Sequence, residues 1–372
     1  MNDRLHEMQR KNTHVTNYQI NRNASLLECS VFENEIGIHT IEFHYGVPAQ
    51  GNELFLIWNV LKSGERYPKR FSMACLIPGL FAEMLGHEYY PVLKMLVNPR
   101  VMANGRDGYL GITSYDADTL QQCRTIFDRF WQQKGIGIRM NTCTIARVDL
   151  CVNLELSEWF PIPQYLNLLK RSPRKKSFIL QHYDDAVMDG HQFKIVNQNW
   201  GLSVYDKRFE QKQYPVNQGK EYPNIMRVEL QLYHATIRKM EKDFPVANFE
   251  MLWELMVQSP ALIGKKIREI LGCEHYVSQE KIRACIEQSS YQTKTKNQLL
   301  KMQKFLYQAD DFKQFADQLC GSGQKLIYYR LLKCYREMKI SPVALPKRSG
   351  WLRLPSLYML AGWAIYKATC EK

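Results

Sequence analysis

The sequence predicts an α+β fold in which a central antiparallel sheet with flanking helices is followed by a mostly helical C-terminal domain. Up to about residue 245, short alternating or apolar runs outnumber helical patterns, and beyond that point the apolar spacing becomes helical. A hydrophobic content of 45% over 372 residues indicates packed cores rather than disorder. We therefore divide the chain into a loose polar arm at 1–25, an α+β domain at 26–250 and a basic helical region at 251–372.

Most predicted elements of the first 245 residues are strands. Runs that alternate in polarity or are uniformly apolar, bounded by Gly, Pro or polar turns, predict the strands. These are Gly37–Val47, Phe55–Leu61, Arg70–Leu76, Ile145–Leu154, Ser177–Tyr183, Gln192–Val196, Gly201–Tyr205 and Ile225–Tyr233. Apolar residues recurring at three and four positions predict helices. These are Pro78–Leu85, Ala117–Gln133, Gln164–Leu169 and Ala235–Phe244.

The remainder of the chain is predicted to be helical. The same three-and-four spacing recurs through it with short polar interruptions. The predicted helices are Ala247–Gln258, Leu262–Leu271, Ser278–Glu287, Lys294–Gln308, Phe312–Cys320, Lys325–Lys339 and Leu354–Tyr366.

The distribution of charge indicates the kind of binding partner, and the spacing of the cysteines indicates the redox compartment. The net charge is +13, and residues 321–372 alone carry ten Lys/Arg against two Glu, a balance of +8. This asymmetry favours a polyanionic binding partner, with nucleic acid first and an anionic membrane surface second.

Ten cysteines without a CxxC pair indicate reduced thiols in a cytosol-like compartment. The polar N-terminus and the lack of a run of about 18 apolar residues lead us to expect no membrane segment.

The strand Ile145–Leu154 is predicted to have one apolar and one polar face. Since side chains alternate on a strand, Arg147, Asp149, Cys151 and Asn153 share the polar face. An arginine beside a carboxylate on a central strand is either a structural ion pair or part of a site.

A second strand repeats this arrangement and favours the site. Ile225–Tyr233 presents Arg227, Glu229 and Gln231 opposite an apolar face. Carboxylates on two such strands can supply oxygen ligands to a hard divalent cation, and paired arginines suit phosphate. The sequence therefore predicts a Mg²⁺ or Mn²⁺ site with Asp149 and Glu229 as ligands.

The segment Gly201–Glu210 supplies a candidate nucleophile. Tyr205 ends a short apolar strand, Lys207 follows at strand period and Glu210 lies three residues further on. A free phenol has a pKa of about 10, so an attacking tyrosine needs a neighbouring cation, base or metal. Glu210 could act as a metal ligand or as a proton acceptor. By spacing alone, Tyr205 could equally be one of 21 tyrosines that happens to end a strand.

Tyr205, Lys207 and Glu210 form a Tyr-x-Lys-x-x-Glu motif. It lies between a strand with an Arg-hydrophobic-Asp pattern and a strand with an Arg-hydrophobic-Glu pattern. This arrangement resembles that of filamentous-phage replication-initiation endonucleases. It is also similar to that of rolling-circle plasmid initiators and relaxases of the Rep_trans type. The resemblance implies that Tyr205 nicks DNA, assisted by Lys207, Arg147 and Arg227. This sequence departs from the family pattern at two positions. His39 occupies a position that is often Asp, so a metal ligand there would be an imidazole. Asn153 occupies a position that is sometimes an acid.

Weaker similarity extends to Arg70–His87, read as a strand followed by a helix, and to the basic region Leu326–Gly362.

The resemblance implies a metal-dependent nicking enzyme that initiates rolling-circle replication in the cytoplasm of a bacterial host. The expected DNA is an origin, single-stranded or in a hairpin at the nick and duplex nearby. Expected partners are a host helicase and polymerase, with the chain a monomer or dimer. Two alternatives stay open: a non-catalytic origin-binding protein and a nuclease that uses water. Basic residues of a loop and of the C-terminal region are the predicted DNA contacts, namely Lys170, Arg171, Arg174, Lys175, Lys176, Arg330, Lys333, Arg336, Lys347, Arg348 and Arg353.

Overall fold

The computed structural model describes twelve parts of the chain. They are residues 36–48, 52–66, 73–86, 90–105, 112, 117–174, 178–181, 190–213, 221–243, 248–308, 325–346 and 351–370. Some of the predicted features lie outside the described residues: the arm at 1–25, the helix Phe312–Cys320 and the DNA contacts Lys175, Lys176, Lys347 and Arg348.

The described strands and helices are numbered in chain order. The strands are β1 Ile36–Gly46, β2 Glu65–Arg66, β3 Ala74–Ile77, β4 Leu80–Leu85, β5 Val92–Val97, β6 Thr144–Glu155, β7 Ile179–Leu180, β8 Gln192–Val196, β9 Trp200–Asp206, β10 Ile225–Tyr233, β11 Tyr276–Val277 and β12 Arg353–Leu354. The helices are α1 Asn52–Ser63, α2 Pro99–Asn104, α3 Ala117–Gln133, α4 Ile162–Arg171, α5 Lys207–Lys212, α6 His234–Asp243, α7 Asn248–Leu271, α8 Gln279–Gln288, α9 Thr293–Gln308, α10 Lys325–Glu337 and α11 Leu357–Cys370.

Ten strands form one antiparallel sheet in the order β2-β3-β4-β5-β1-β6-β10-β9-β8-β7. The long strands β1, β6 and β10 lie side by side at its centre, and β9 pairs with β10. With helices flanking this sheet and a mostly helical C-terminal region, the predicted fold class is confirmed.

The main hydrophobic core lies on the apolar face of the central strands. Val148 and Leu150 of β6 are fully buried there, together with Val228 and Leu230 of β10. Helices α1, α3, α4, α7 and α11 add their apolar faces to the same cluster. Helices cover this face. Since successive side chains of a strand point to opposite faces, the polar residues of β6 and β10 lie on the other face of the sheet.

Two short elements differ from the sequence prediction. The sequence predicts a strand at Phe55–Leu61, but these residues lie within helix α1, which buries only Ile57 and Val60. It also predicts a helix at Pro78–Leu85, including the helical part of the family resemblance, but Leu80–Leu85 is strand β4 and pairs antiparallel with β5. Both runs are short and apolar, and periodicity over so few residues does not separate a strand from a helix turn.

The C-terminal region contributes to two hydrophobic clusters. Helix α7 is continuous through Pro260, where the sequence predicts two helices, and it joins the sheet's core together with α11. Helices α8, α9 and α10 enclose a smaller cluster of their own. The Tyr165 hydroxyl of α4 also donates to the Pro355 carbonyl at 3.0 Å. Packing therefore continues across the boundary predicted at residue 250, and the division itself stays a prediction.

Among the described residues, no helix combines the length and the apolar character needed to cross a bilayer.

Candidate functional site

The candidate site occupies the polar face at the centre of the sheet. Cys151 of β6 lies opposite Glu229 of β10, and Arg227 lies between Asn153 on one side and Tyr205 of β9 on the other. Strand alternation, read from the sequence, correctly places the polar residues of each strand on one face. The antiparallel register brings β6, β9 and β10 together so that these side chains become neighbours.

A β-bulge in β1 adds His39 to this face. The pairing of β1 with β6 shifts between Ile38 and Thr40, so His39 is an extra residue without an opposite partner in the register. A bulge of this kind redirects a side chain, and bulges are frequent beside active sites. The His39 Nδ1 atom lies 3.2 Å from Glu229 Oε1, and burial lowers the pKa of the imidazole, helped by the nearby Arg227 charge.

The Tyr205 hydroxyl is directed at Glu229. It donates to Glu229 Oε1 at 2.6 Å, and the tyrosine is 7% exposed. Burial, reinforced by the Glu229 charge, raises the pKa of Tyr205 well above its usual value. Although burial opposes it, the hydrogen bond and charge of His39 and the charge of Arg227 keep the pKa of Glu229 below its ordinary value. The phenol is therefore neutral in this arrangement and has an ionised carboxylate as its hydrogen-bond acceptor.

Lys207 and Glu210 lie on the first turn of helix α5. The sequence predicts a strand that ends at Tyr205 and a charged connection from Lys207, whereas β9 ends at Asp206 and Lys207 begins a helix. The Asp206 side chain caps this helix by accepting from the Phe209 amide at 2.8 Å. The Lys207 ammonium still lies 5.7 Å from the Tyr205 ring centroid. It pairs with Glu210 at 2.5 Å. Glu210 is therefore held by Lys207, where the sequence predicts a metal ligand.

Arg227 is the most deeply buried cation of the site. It is 0% exposed, and its Nε atom donates to Asn153 Oδ1 at 2.7 Å. The charges of Glu229 and Glu210 act on this guanidinium and stabilise its charged form. Because Arg227 lies opposite Tyr205 in the register, it places positive charge beside the phenol.

Asp149 is held by the second predicted arginine. Arg147 contacts Asp149 Oδ1 through Nε at 3.1 Å and Glu42 Oε2 through its terminal nitrogen at 3.3 Å. Burial raises the pKa of Asp149 to about 7, and the Glu229 charge acts in the same direction. Asp149, Glu229 and Glu210 are the predicted carboxylate ligands, and two of these three are paired with cations. An all-oxygen set suited to Mg²⁺ is not assembled in this conformation.

A different set of donors does converge. Ligand atoms of His39, Cys151 and Glu229 all lie within 4.8 Å of one another. Two of these residues are predicted ligands, whereas sequence reasoning missed Cys151 because its apolar neighbours in sequence favour a buried core thiol. The signal that could have found it is the alternation that places Cys151 on the same face as Asp149. Burial raises the pKa of the free Cys151 thiol well above its usual value.

The predicted DNA contacts divide into exposed and buried residues. On α10, Arg330, Lys333 and Arg336 are exposed, whereas Tyr328 and Tyr335 are buried in the smaller cluster. Arg353 is also exposed, and Lys170 and Arg171 are half-buried. The three basic residues of α10 therefore face solvent, as Tyr329 does, whereas Tyr328 and Tyr335 face the core.

Arg174 differs from the prediction of an exposed loop cation. It is buried, and one terminal guanidinium nitrogen donates to the carbonyls of Lys170 and Ser172, at 3.0 and 3.4 Å. In this conformation Arg174 stabilises the end of helix α4.

Comparisons with known proteins add little to this description. No protein-family model matches the chain, and no curated protein matches it. The chain is similar to the solved structure of a rolling circle replication initiator protein from Geobacillus stearothermophilus, with a TM-score of 0.29 and 13% identity. This similarity covers 63% of the present chain and 85% of that chain. At such a low TM-score the similarity carries no argument about the fold, the site or its chemistry.

Proposed function

We propose that this chain is a metal-dependent DNA-nicking enzyme that initiates rolling-circle replication, with Tyr205 as the nucleophile. The observation that carries the proposal is the 2.6 Å hydrogen bond from the Tyr205 hydroxyl to Glu229, in a cluster that also contains Lys207 and Arg227. A phenol needs a base to accept its proton and cations to stabilise the charge that develops during attack. Support for this role comes from the hydrogen bond of the hydroxyl to Glu229 and from the two cations beside the tyrosine, Arg227 in the register and Lys207 at 5.7 Å from the ring centroid.

In the proposed reaction, the Tyr205 oxygen attacks one phosphodiester of the origin DNA, and its proton is released to solvent while the hydrogen bond to Glu229 orients the hydroxyl. The bond from phosphorus to the 3′-oxygen breaks, so the products are a 5′-phosphotyrosyl link and, after protonation, a free 3′-hydroxyl. Arg227 and Lys207 stabilise the negative charge on the phosphoryl oxygens. A divalent cation bound beside Glu229 would supply further charge neutralisation at the phosphate. Because Tyr205 is 7% exposed, DNA binding must open the site before attack.

The proposed DNA surface combines the basic face of α10 with the residues around the end of α4. The exposed cations Arg330, Lys333, Arg336 and Arg353 would contact phosphates of duplex DNA, which fixes the protein on the DNA without reading sequence. In a cell, a host polymerase would then extend the free 3′-hydroxyl while a host helicase unwinds the duplex, and the covalent link would preserve the energy needed for rejoining.

The test is capture of the covalent intermediate. The full chain is incubated with Mn²⁺ and a labelled pool of single-stranded and hairpin DNA, and an SDS-resistant protein–DNA band is measured. Wild type should form the band and Tyr205→Phe should not, while retaining DNA binding. Tyr233→Phe is the matched control, because Tyr233 ends strand β10 and its hydroxyl contacts Gln231 at 3.1 Å. It should form the band as wild type does.

The other outcomes decide between the remaining functions. Cleavage without an attached band would identify a nuclease that uses water, and binding without cleavage would identify a non-catalytic origin-binding protein. An adduct formed by Tyr205→Phe would show that another residue is the nucleophile.

A further inference from the structure

His39, Cys151 and Glu229 come from three adjacent strands at the centre of the sheet. Cys151 and Glu229 are directly opposite in the register of β6 and β10, and the bulge in β1 adds His39 from the other side of β6. All three are on strands that the sheet holds on both edges, so their backbones are fixed before any ion binds. Sites built on regular elements hold their geometry better than sites on loops.

The donor set is one nitrogen, one sulfur and one oxygen. Zn²⁺ and similar first-row cations take imidazole, thiolate and carboxylate ligands, commonly three from the protein with a fourth position open. Mg²⁺ instead requires oxygen ligands in near-octahedral geometry. The other carboxylates that could have completed an oxygen set are paired, Asp149 with Arg147 and Glu210 with Lys207.

The spacing of the donor atoms is compatible with this chemistry. Ligand bonds of about 2.0 to 2.3 Å in a tetrahedral site place donor atoms roughly 3.3 to 3.8 Å apart. The three donors lie within 4.8 Å of one another, so side-chain adjustments of about an ångström close the site. His39 Nδ1 and Glu229 Oε1 are already at 3.2 Å.

We propose that His39, Cys151 and Glu229 bind a thiophilic first-row divalent cation of the Zn²⁺ and Co²⁺ class in preference to Mg²⁺. Binding replaces the proton of the Cys151 thiol, which is released to solvent, and leaves a metal–thiolate bond. The Tyr205 hydroxyl, hydrogen-bonded to Glu229, would lie beside the ion. Metal binding involves neither DNA nor Tyr205, so it does not depend on the proposed nicking function. Only a role for the ion in the attack by Tyr205 would depend on that function.

The test uses Co²⁺ as a spectroscopic probe of the metal-free full chain. A thiolate bound to Co²⁺ gives a sulfur-to-metal charge-transfer absorption in the near ultraviolet, which neither imidazole nor carboxylate gives. We expect a band that saturates at one equivalent, that Zn²⁺ abolishes and that a large excess of Mg²⁺ leaves in place. Cys151→Ala should lose the band. Cys123→Ala is the control, because Cys123 is as deeply buried but lies on α3 beside Met102.

Two further variants keep the test decisive. If circular dichroism shows that Cys151→Ala does not fold, then His39→Ala should weaken Co²⁺ binding by at least about tenfold, since loss of an outer-shell partner of a ligand already costs about that much. Tyr205→Phe should retain the band, so failure of nicking and failure of metal binding are distinguishable. The proposal is overturned if wild type gives no charge-transfer band, if Cys151→Ala keeps it, or if Mg²⁺ displaces it.

Discussion

Replacing Arg227 by alanine should destabilise the fold more than any surface substitution. The guanidinium is 0% exposed, donates to Asn153 at 2.7 Å, and its charge acts on those of Glu229 and Glu210. Removing one partner of a buried ion pair costs about 3 to 5 kcal/mol, because the remaining charge is left uncompensated in a poorly solvated site. Against a total stability of roughly 5 to 15 kcal/mol, this is a large fraction.

Chemical denaturation followed by tryptophan fluorescence measures this effect. Three variants separate charge from volume. Arg227→Ala and Arg227→Met should both lose about 3 to 5 kcal/mol, since neither supplies a positive charge, whereas Arg227→Lys should recover part of the loss. Arg330→Ala is the surface control: this exposed arginine contacts Gln298 at 3.0 Å, and its loss should cost less than about 0.5 kcal/mol. If Met restores the stability and Lys does not, lost packing rather than uncompensated charge explains the effect, and the electrostatic argument is refuted.

Two other predictions test the fold away from the candidate site. Burial and the Arg353 charge lower the pKa of half-buried His275 to about 4, so its proton binds more tightly in the unfolded chain and stability falls as pH drops below about 6.5. After allowance for its partial exposure, we expect about 1 kcal/mol less stability at pH 5 than at pH 7.5, a loss that His275→Gln should remove in parallel denaturation curves. Gly79 has φ +81°, and an added Cβ would lie 2.6 Å from the Met102 amide nitrogen, so Gly79→Ala should cost about 3 kcal/mol. Gly105→Ala, at φ +70° with nothing within 4 Å of the added carbon, should cost only about 1 kcal/mol, and equal losses would contradict the steric argument.

The long, strongly patterned elements are predictable from the sequence. Ala117–Gln133 and Gln192–Val196 have the predicted bounds, and β6 and β10 differ from their predicted bounds by at most one residue at either end. Period-two alternation over nine or more residues separates a core face from a polar face, because a one-residue slip would bury every charge. The same regularity correctly groups Arg147 with Asp149, and Arg227 with Glu229, on the basis of strand alternation alone.

Short elements are not predictable in this way, because their conformation depends on what they pack against. Leu80–Leu85 is a strand because it forms hydrogen bonds with the edge of β5. Phe55–Leu61 is helical because, as part of α1, it packs Ile57 and Val60 against the core. Neither partner is visible in a local window of sequence. Local propensity is outweighed here by tertiary pairing.

Alternation along each strand specifies which residues share its polar face, and local sequence shows which tyrosine follows an apolar strand into a charged turn. How those residues combine depends on the folded sheet: Asp149 with Arg147, Glu210 with Lys207, and Glu229 with Tyr205, His39 and Cys151. The physical reason is that alternation fixes direction along one strand, whereas neighbours across strands are set by register. The bulge at His39 shifts the register of β1 against β6 by one residue, and the sequence of β1 contains no pattern that predicts it.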